Sequence, residues 1–114
     1  MKEIKFYSKD LLKLKPDVKG AKMWAVALEK TMLTYFEIEP NSKFEMHRHE
    51  SEQITMVLEG ELYFLANDKE ICAKTGEVIA IPSDLLHGVY TKDTFVKAID
   101  AWSPIREEYN NTNL

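Results

Sequence analysis

The chain has 114 residues, of which 15 are Lys or Arg and 19 are Asp or Glu, so its formal net charge is -4. This acidic balance excludes the basic footprint by which proteins bind nucleic acid or anionic membranes. Cys72 is the only cysteine, which excludes an internal disulfide and a thiolate metal cluster. The length and the apolar fraction of 45% predict one globular domain over residues 1–114.

The sequence also bears on location. Its first residues are charged and lack the apolar run of a signal peptide. No stretch reaches the roughly 20 apolar residues that a transmembrane helix needs. A lone cysteine suits a reducing compartment. We therefore expect a cytoplasmic protein that binds neither nucleic acid nor membrane.

Short apolar runs alternate with turn residues in the first third of the chain. Residues 4–7 predict a short edge strand, and the polar stretch 10–18, broken by a proline, predicts a connection with one helical turn. Strands are expected at 23–28 and 32–38, and the second is rich in aromatic and β-branched residues. Residues 39–42 carry a turn signal.

The same alternation continues to the C-terminus. Further strands are expected over residues 54–58, 62–66, 70–73, 78–81, 88–91 and 94–101. The polar tail from position 103 is expected to lie over the surface, with its final residues disordered. Short strands separated by turns, without a helical period over three turns, indicate an all-β sandwich or barrel.

All three histidines of the chain suit one site. His47 and His49 are one residue apart, which points both side chains to the same face if the backbone is extended. Gln53 offers an amide oxygen a few residues later, and His87 can join from a second strand. Three neutral imidazoles and a carbonyl oxygen suit one divalent transition metal such as zinc, iron, manganese or nickel. A surface or core role is the alternative for each histidine, but it would leave this grouping unexplained.

The first histidine stretch resembles a motif of the cupin superfamily. That motif runs His-x-His, three or four residues, Glu, six residues and Gly, and residues 40–60 follow it from His47 to Gly60. Gln53 stands at the Glu position. Glu52 is adjacent, but the spacing to Gly60 places Gln53 in register, and strand alternation points Glu52 the other way. Gln53 is then a metal ligand or, alternatively, a pocket hydrogen-bonder beside a three-histidine metal site.

The second histidine stretch resembles the other cupin motif, which runs Gly, five residues, Pro-x-Gly, two residues, His, three residues and Asn. Residues 76–91 keep this spacing from Gly76 through His87. Asp84 replaces the second glycine, and Thr91 replaces the asparagine. The two motifs together imply a double-stranded β-helix, the cupin jelly-roll barrel, with a metal inside its mouth.

Residues 100–106 resemble the Asp-x-Phe-Ser-Pro-Pro-Arg segment that closes the barrel in one cupin group. That group comprises the single-domain enzymes of pectin and alginate breakdown, which convert unsaturated uronates to linear keto forms. Its metal is held by three His and one Gln. By position, the resemblance implies metal binding by His47, His49, Gln53 and His87, and catalytic roles for Asp100, Trp102 and Arg106.

The chemistry of that group needs an electrophile on an oxygen, a proton shuttle and an anchor for the substrate carboxylate. A metal can polarise the oxygen. Asp100 can act as general acid or base if burial raises its pKa, and Arg106 can grip a carboxylate. The structural alternatives are that Asp100 caps a turn, that Arg106 forms a surface ion pair and that Trp102 packs in the core or a dimer.

We therefore expect a metal-dependent enzyme that acts on a small carboxylated sugar by non-redox ring opening and tautomerisation. An iron or manganese dioxygenase and a non-catalytic ligand-binding barrel are the alternatives, because one barrel hosts many functions. A homodimer is also expected, since Trp24 and Tyr35 would suit pairing between subunits. The same two residues could instead belong to the core.

Overall fold

A computed structural model describes residues 2–110. In this range the chain forms ten β-strands, a 3-10 turn at Lys9–Leu11 and one short α-helix, α1, at Glu107–Asn110. No helix among these residues is long and apolar enough to cross a membrane. The strands are β1 (Lys15–Pro16), β2 (Ala21–Ala27), β3 (Met32–Ile38), β4 (Lys43–His47), β5 (Glu52–Glu59), β6 (Glu61–Ala66), β7 (Lys69–Lys74), β8 (Val78–Ile81), β9 (His87–Thr91) and β10 (Val96–Ser103).

The strands form two antiparallel sheets that pack face to face. The six-stranded sheet has the order β1-β2-β3-β10-β5-β8, and the four-stranded sheet has the order β4-β9-β6-β7. One cluster of buried apolar side chains joins the inner faces of both sheets, with Met23, Phe36 and Val57 from the first and Leu62 and Phe64 from the second. The predicted all-β jelly-roll fold is thereby confirmed.

Burial alternates along the strands, as the period of two requires. In β3, Met32, Thr34, Phe36 and Ile38 are buried, while the side chains between them face outward. The expected strands at 32–38 and 78–81 have the predicted bounds, and the others differ by a few residues at one or both ends. Boundaries move in this way because pairing partners, not propensity alone, decide where a strand ends.

The N-terminal prediction is wrong in one respect. Residues 4–7 form no strand, and the edge of the six-stranded sheet is instead the two-residue β1. Ile4 and Phe6 are 99% and 84% exposed, so they lack the buried face that stabilises a strand. The helical turn expected within 10–18 occurs slightly earlier, at Lys9–Leu11. The final residues, 111–114, for which disorder was expected, lie outside the described residues.

Strand register places the polar residues of the inner face in two adjacent rows. Asp100 of β10 lies opposite Thr34 of β3 on one side and Thr55 of β5 on the other. Trp102, two residues further along β10, lies opposite Gln53. Residues directly opposite on neighbouring strands share a face, so these side chains meet inside the barrel.

Candidate metal centre

The three histidines converge at one end of the barrel. His47 ends β4 and lies opposite His87, the first residue of β9. His49 lies two residues beyond the end of β4, in a segment that pairs with no strand among residues 2–110. The ring centroids are nevertheless only 4.5 Å apart for His47 and His87, 4.9 Å for His49 and His87, and 5.4 Å for His47 and His49. A ligand atom from each ring lies within 4.8 Å of the others, an arrangement that suits a metal ion.

Backbone hydrogen bonds fix the orientation of all three imidazoles. Each Nδ1 pairs with the carbonyl oxygen of a residue two positions away. The acceptors are Glu45 for His47 at 2.7 Å, Ser51 for His49 at 2.8 Å and Leu85 for His87 at 2.8 Å. A carbonyl only accepts, so each Nδ1 carries a proton, and an imidazole with one proton there has its lone pair on Nε2.

Where these lone pairs are buried, they accept no hydrogen bond from residues 2–110. Within this range, Nε2 of His49, Nε2 of His87 and Oε1 of Gln53 are buried atoms without a hydrogen bond. Buried polar atoms are normally satisfied, so three unsatisfied acceptors in one place call for a ligand. Two imidazole nitrogens and a carbonyl oxygen fit a divalent transition metal, and His47 brings the third nitrogen.

Gln53 faces this group, and its neighbour Glu52 does not. Gln53 is buried, whereas Glu52 lies exposed on the outer face of the six-stranded sheet. The amide of Gln53 donates from Nε2 to Oγ1 of Thr55 at 2.9 Å. The motif spacing and strand alternation therefore predict correctly which residue of this pair faces inward.

Asp100 accepts hydrogen bonds on both carboxylate oxygens. Thr55 donates to Oδ1 at 2.5 Å, and Thr34 donates to Oδ2 at 3.0 Å. The indole Nε1 of Trp102 in turn donates to the hydroxyl of Thr34 at 2.8 Å. A continuous polar network therefore runs from Gln53 through Asp100 to Trp102 across the floor of the barrel.

Burial sets the protonation of the site. It raises the pKa of Asp100 to about 6, against the opposing hydrogen bonds from Thr55, Thr34 and Gln53 and the charge of Arg106. Burial also lowers the pKa of His49 and of His87, and the Arg106 charge and the neighbouring imidazoles add to this. Both rings are therefore neutral near pH 7, the state in which imidazole binds a metal.

A narrow cavity opens beside the histidines. Its empty volume is about 420 Å³, including the space at its mouth. It is lined by Phe36, Ile38, Phe44, His47, Gln53, Thr55, Leu62, Phe64, His87, Val89, Ala98, Asp100, Trp102 and Tyr109. A cavity of this volume is in the size range of small-molecule sites.

The C-terminal segment covers one side of the cavity. Ser51 donates a hydrogen bond to the carbonyl oxygen of Pro104 at 2.5 Å, which ties the segment to the histidine loop. Trp102 and Tyr109 line the cavity, with ring centroids 5.6 Å apart. The Arg106 guanidinium carbon lies 5.2 Å from the centroid of Trp102 and 4.9 Å from that of Tyr109. Arg106 itself is not among the lining residues.

Arg106 is nevertheless well sheltered, with a side chain only 10% exposed. Its Nη2 donates to the carboxylate of Glu108 at 2.6 Å, while its Nη1 is buried and has no hydrogen bond to any residue that the structure describes. This ion pair lowers the pKa of Glu108 to about 2. The structure thus brings Asp100 and Trp102 to the cavity with Gln53, His47 and His87, and places Arg106 beside the aromatic rings.

Three residues of this site are not predicted from the sequence. Thr34 and Thr55 are strand formers in unremarkable β runs, but they share the inner face with Asp100 and Gln53 by alternation. That same-face spacing was a usable signal. Tyr109 lies in a polar tail with no apolar period, and no local pattern indicates its contact with the cavity.

Solved structures with the same fold match nearly the whole chain. KdgF from Halomonas sp. has a TM-score of 0.82 at 21% identity and covers 91% of this chain and 98% of its own. An RmlC-like cupin from Shewanella frigidimarina has a TM-score of 0.84 at 20% identity, covering 94% and 96%. The polyketide cyclase RemF from Streptomyces resistomycificus has a TM-score of 0.75 at 22% identity, covering 98% and 100%. At these identities the likeness shows the fold alone.

No curated protein matches the sequence at a significant level. The family described as "Cupin domain" matches residues 34–100. This match includes all three histidines and Gln53, and it spans well over half of the chain. The chain therefore belongs to the cupin family.

Proposed function

We propose that this cupin binds one divalent transition metal and uses it to act on a small carboxylated sugar by non-redox ring opening and tautomerisation. The proposed ligands are His47, His49, His87 and Gln53. The observation that carries the proposal is the set of buried, unpartnered acceptor atoms on His49, His87 and Gln53 beside a cavity that also holds Asp100. Zinc, iron, manganese and nickel all suit this set of ligand atoms.

The bound metal would supply a Lewis acid towards a substrate oxygen. A neutral amide in place of a carboxylate leaves the site with one more positive charge than three histidines and a glutamate would. The imidazole orientations need no rearrangement, because the three backbone carbonyls already hold every Nδ1 proton. The protein therefore presents its ligand atoms in advance, which favours a tight site.

Asp100 is the proposed proton-transfer group. It lines the cavity, and its pKa of about 6 lies close to neutral pH, where an acid or base works best. The two threonine hydroxyls fix its carboxylate, and each oxygen keeps a further lone pair for a substrate proton. Trp102, held by Thr34, would form the flat wall against which a sugar ring packs.

Arg106 would favour a negatively charged substrate. Its charge already lowers the pKa of His49, His87 and Asp100, so its field reaches the cavity. Direct contact with a substrate carboxylate would require the Arg106 side chain or its surroundings to move, because Arg106 lies beside the Trp102 and Tyr109 rings and not in the lining. The unpartnered Nη1 is the donor available for such a contact.

The test begins with elemental analysis of the purified protein and of His49→Ala. About one equivalent of a first-row metal, lost in the variant, would support the metal centre. The loaded protein is then incubated with unsaturated uronates under nitrogen, and the ultraviolet absorbance of the conjugated double bond is followed. Loss of absorbance without oxygen supports the proposal, and oxygen consumption with a catechol-like or diketone substrate would favour the dioxygenase instead. Metal binding with neither activity would favour the remaining alternative, a non-catalytic ligand-binding barrel.

We also propose that the protein is a homodimer, through the outer face of the six-stranded sheet. Trp24 and Tyr35 stack on this face with centroids 5.6 Å apart and belong to no part of the core. Strand register continues this apolar surface across the sheet in two rows, Trp24-Tyr35-Ile99-Met56-Val78 and Val26-Leu33-Ala101-Ile54-Ala80. A contiguous apolar face of this kind is typical of an interface between proteins.

The surroundings of this apolar face suit a second copy of the same chain. The next row across the sheet is Lys22-Glu37-Lys97-Glu59, which alternates in charge. A two-fold related copy can oppose unlike charges along such a row, whereas a strongly acidic or basic partner could not match it. The apolar rows would be covered, and the charged row would form the rim.

A further inference from the structure

We infer that Thr55 is a positioning residue of the metal centre, which fixes the direction of the Gln53 amide and is itself fixed by Asp100. The inference rests on the proposed function in one respect, that Gln53 is a metal ligand. Thr55 is 1% exposed and lies opposite Asp100 in the strand register. Its hydroxyl accepts a hydrogen bond from the amide of Gln53 and donates one to the carboxylate of Asp100.

The direction of this link follows from the number of protons available. An ionised carboxylate only accepts hydrogen bonds, and a threonine hydroxyl has one proton to donate. Thr55 gives that proton to Oδ1 of Asp100 at 2.5 Å, and Thr34 gives its own to Oδ2 at 3.0 Å. Each hydroxyl oxygen is thereby left with lone pairs only, so any further partner has to be a donor.

This requirement selects one of the two orientations of the Gln53 side chain. The amide nitrogen is the donor that Thr55 needs, and it lies 2.9 Å from Oγ1. A flipped amide would put its oxygen against the lone pairs of Thr55, with no proton between them. Gln53 and Thr55 are both buried, so water could not easily relieve such a contact. Oε1 of Gln53 is therefore directed away from Thr55, where it has no protein partner.

Thr34, on the other side of Asp100, serves as a comparison for Thr55. Thr34 also donates to Asp100, but the donor it accepts is the indole of Trp102 and not a proposed ligand. Removing the Thr34 hydroxyl should therefore disturb the aromatic wall and leave Gln53 in place. The two threonines are matched in residue type, burial and shared partner, and they differ in what each one orients.

The experiment compares Thr55→Val, Thr55→Ser, Thr34→Val and Gln53→Ala as metal-free proteins. Each is titrated with Co²⁺ in competition with a chelator, and the visible spectrum of the Co²⁺ complex reports the number of ligands. We expect Thr55→Val to weaken Co²⁺ binding about tenfold or more, which is the usual effect of losing a group that orients a ligand. We expect Gln53→Ala to weaken it as well. Thr55→Ser keeps the hydroxyl and should bind as the wild type does, and Thr34→Val should weaken binding clearly less than Thr55→Val.

Non-additivity gives the sharpest outcome. If Thr55 acts through Gln53, the double variant Thr55→Val/Gln53→Ala should bind Co²⁺ no more weakly than Gln53→Ala alone. Wild-type affinity in Thr55→Val beside a weakened Gln53→Ala would overturn the positioning role and leave the proposed ligands standing. Equal losses in Thr55→Val and Thr34→Val would overturn it as well, since they would indicate a general loss of structure.

The failure of the proposed function looks different in the same data. Wild-type affinity and spectrum in Gln53→Ala would remove Gln53 from the ligand set, and the inference would fall with it. His49→Ala is titrated in the same way, and wild-type affinity in this variant would show that Co²⁺ does not bind at the candidate metal centre. Circular dichroism of each metal-free variant establishes folding beforehand, and Thr55→Ala tests the same hydroxyl if Thr55→Val does not fold.

Discussion

Glu52 and Gln53 are neighbours in the chain and lie on opposite sides of the six-stranded sheet. Gln53 is 6% exposed and points an unpartnered oxygen into the barrel. Glu52 is exposed on the outer face, across from Ser103 of β10. The anionic side chain of Glu52 is thus in solvent, and the neutral side chain of Gln53 is at the candidate metal centre. Exchanging Glu and Gln at these two positions therefore tests whether the metal centre requires a neutral residue.

Gln53→Glu should destabilise the metal-free protein and strengthen metal binding. A carboxylate cannot donate to Thr55, and it places a second negative charge near the buried Asp100. We expect a loss of about 1–3 kcal/mol in the free energy of unfolding without metal. An anionic oxygen ligand attracts a divalent ion more strongly, so added Zn²⁺ should raise the melting temperature more than in the wild type.

Thermal unfolding with chelator and with Zn²⁺ measures both effects. Glu52→Gln is the matched control, because it makes the reverse substitution on the solvent side and should change neither quantity. Unchanged metal-free stability in Gln53→Glu would contradict the hydrogen-bond assignment between Gln53 and Thr55.

The site was predictable where strand alternation and motif spacing determine which way a side chain points. His47 and His87 are paired across β4 and β9 of the four-stranded sheet. Gln53 faces inward from β5 of the six-stranded sheet, so strand pairing and alternation account for the convergence of these three residues. His49 converges for another reason, since it lies past the end of β4 and is held by the carbonyl of Ser51. The sequence offered no sign of that loop geometry.

The parts that could not be predicted depend on contacts between distant segments. Tyr109 reaches the cavity because the C-terminal segment folds back over the barrel, where Ser51 binds the Pro104 carbonyl. Ile4 and Phe6 have the spacing of a strand, but no neighbouring strand pairs with them. A strand pattern indicates which residues can pair, and tertiary structure decides whether a partner is present.

Asp100 should make the metal-free protein less stable as the pH rises from about 4 to about 6. Burial raises its pKa from 3.8 to about 6, so between these values the folded state binds more protons than the unfolded state. Stability therefore falls with increasing pH over this window, by on the order of 3 kcal/mol from this group. Urea unfolding of the wild type and of Asp100→Asn at several pH values isolates the contribution of Asp100 to this pH dependence, because Asn does not titrate.

The quantity to compare is the difference between the two proteins at each pH. The stability of Asp100→Asn relative to the wild type should rise between pH 4 and pH 6 and level off above. Other carboxyl groups and the histidines titrate in both proteins and cancel in this difference. A constant difference across the window would mean that the pKa of Asp100 is not raised.

Gly60 should tolerate substitution far less well than Gly76. Both have positive φ, +87° and +86°, so an alanine at either position is strained by the backbone. At Gly60 an added Cβ would also meet the carbonyl oxygen of Phe95 at 2.3 Å, whereas at Gly76 it meets no atom within 4 Å. Gly76→Ala should cost about 1–2 kcal/mol and Gly60→Ala clearly more, because backbone has to move.

Urea denaturation of the two alanine variants measures this difference directly. Gly76→Ala serves as the control for backbone conformation, so the excess loss in Gly60→Ala reports the close approach to Phe95. Equal losses would show that the turn after β5 can shift without cost, and the tight packing of Gly60 would then not explain its place in the first cupin motif.

Ile54→Glu should convert the proposed homodimer to a monomer. Ile54 is 54% exposed in the apolar rows of the outer face, between Ala101 and Ala80, and a buried unpaired carboxylate there would oppose association. Ile71 is exposed to nearly the same degree, 53%, but lies on β7 at the edge of the four-stranded sheet. Ile71→Glu should therefore leave the dimer intact.

Light scattering on the wild type and both variants gives the masses, and a wild-type mass near 13.2 kDa would refute the dimer. A dimeric mass that persists in Ile54→Glu and is lost in Ile71→Glu would instead place the interface on the four-stranded sheet.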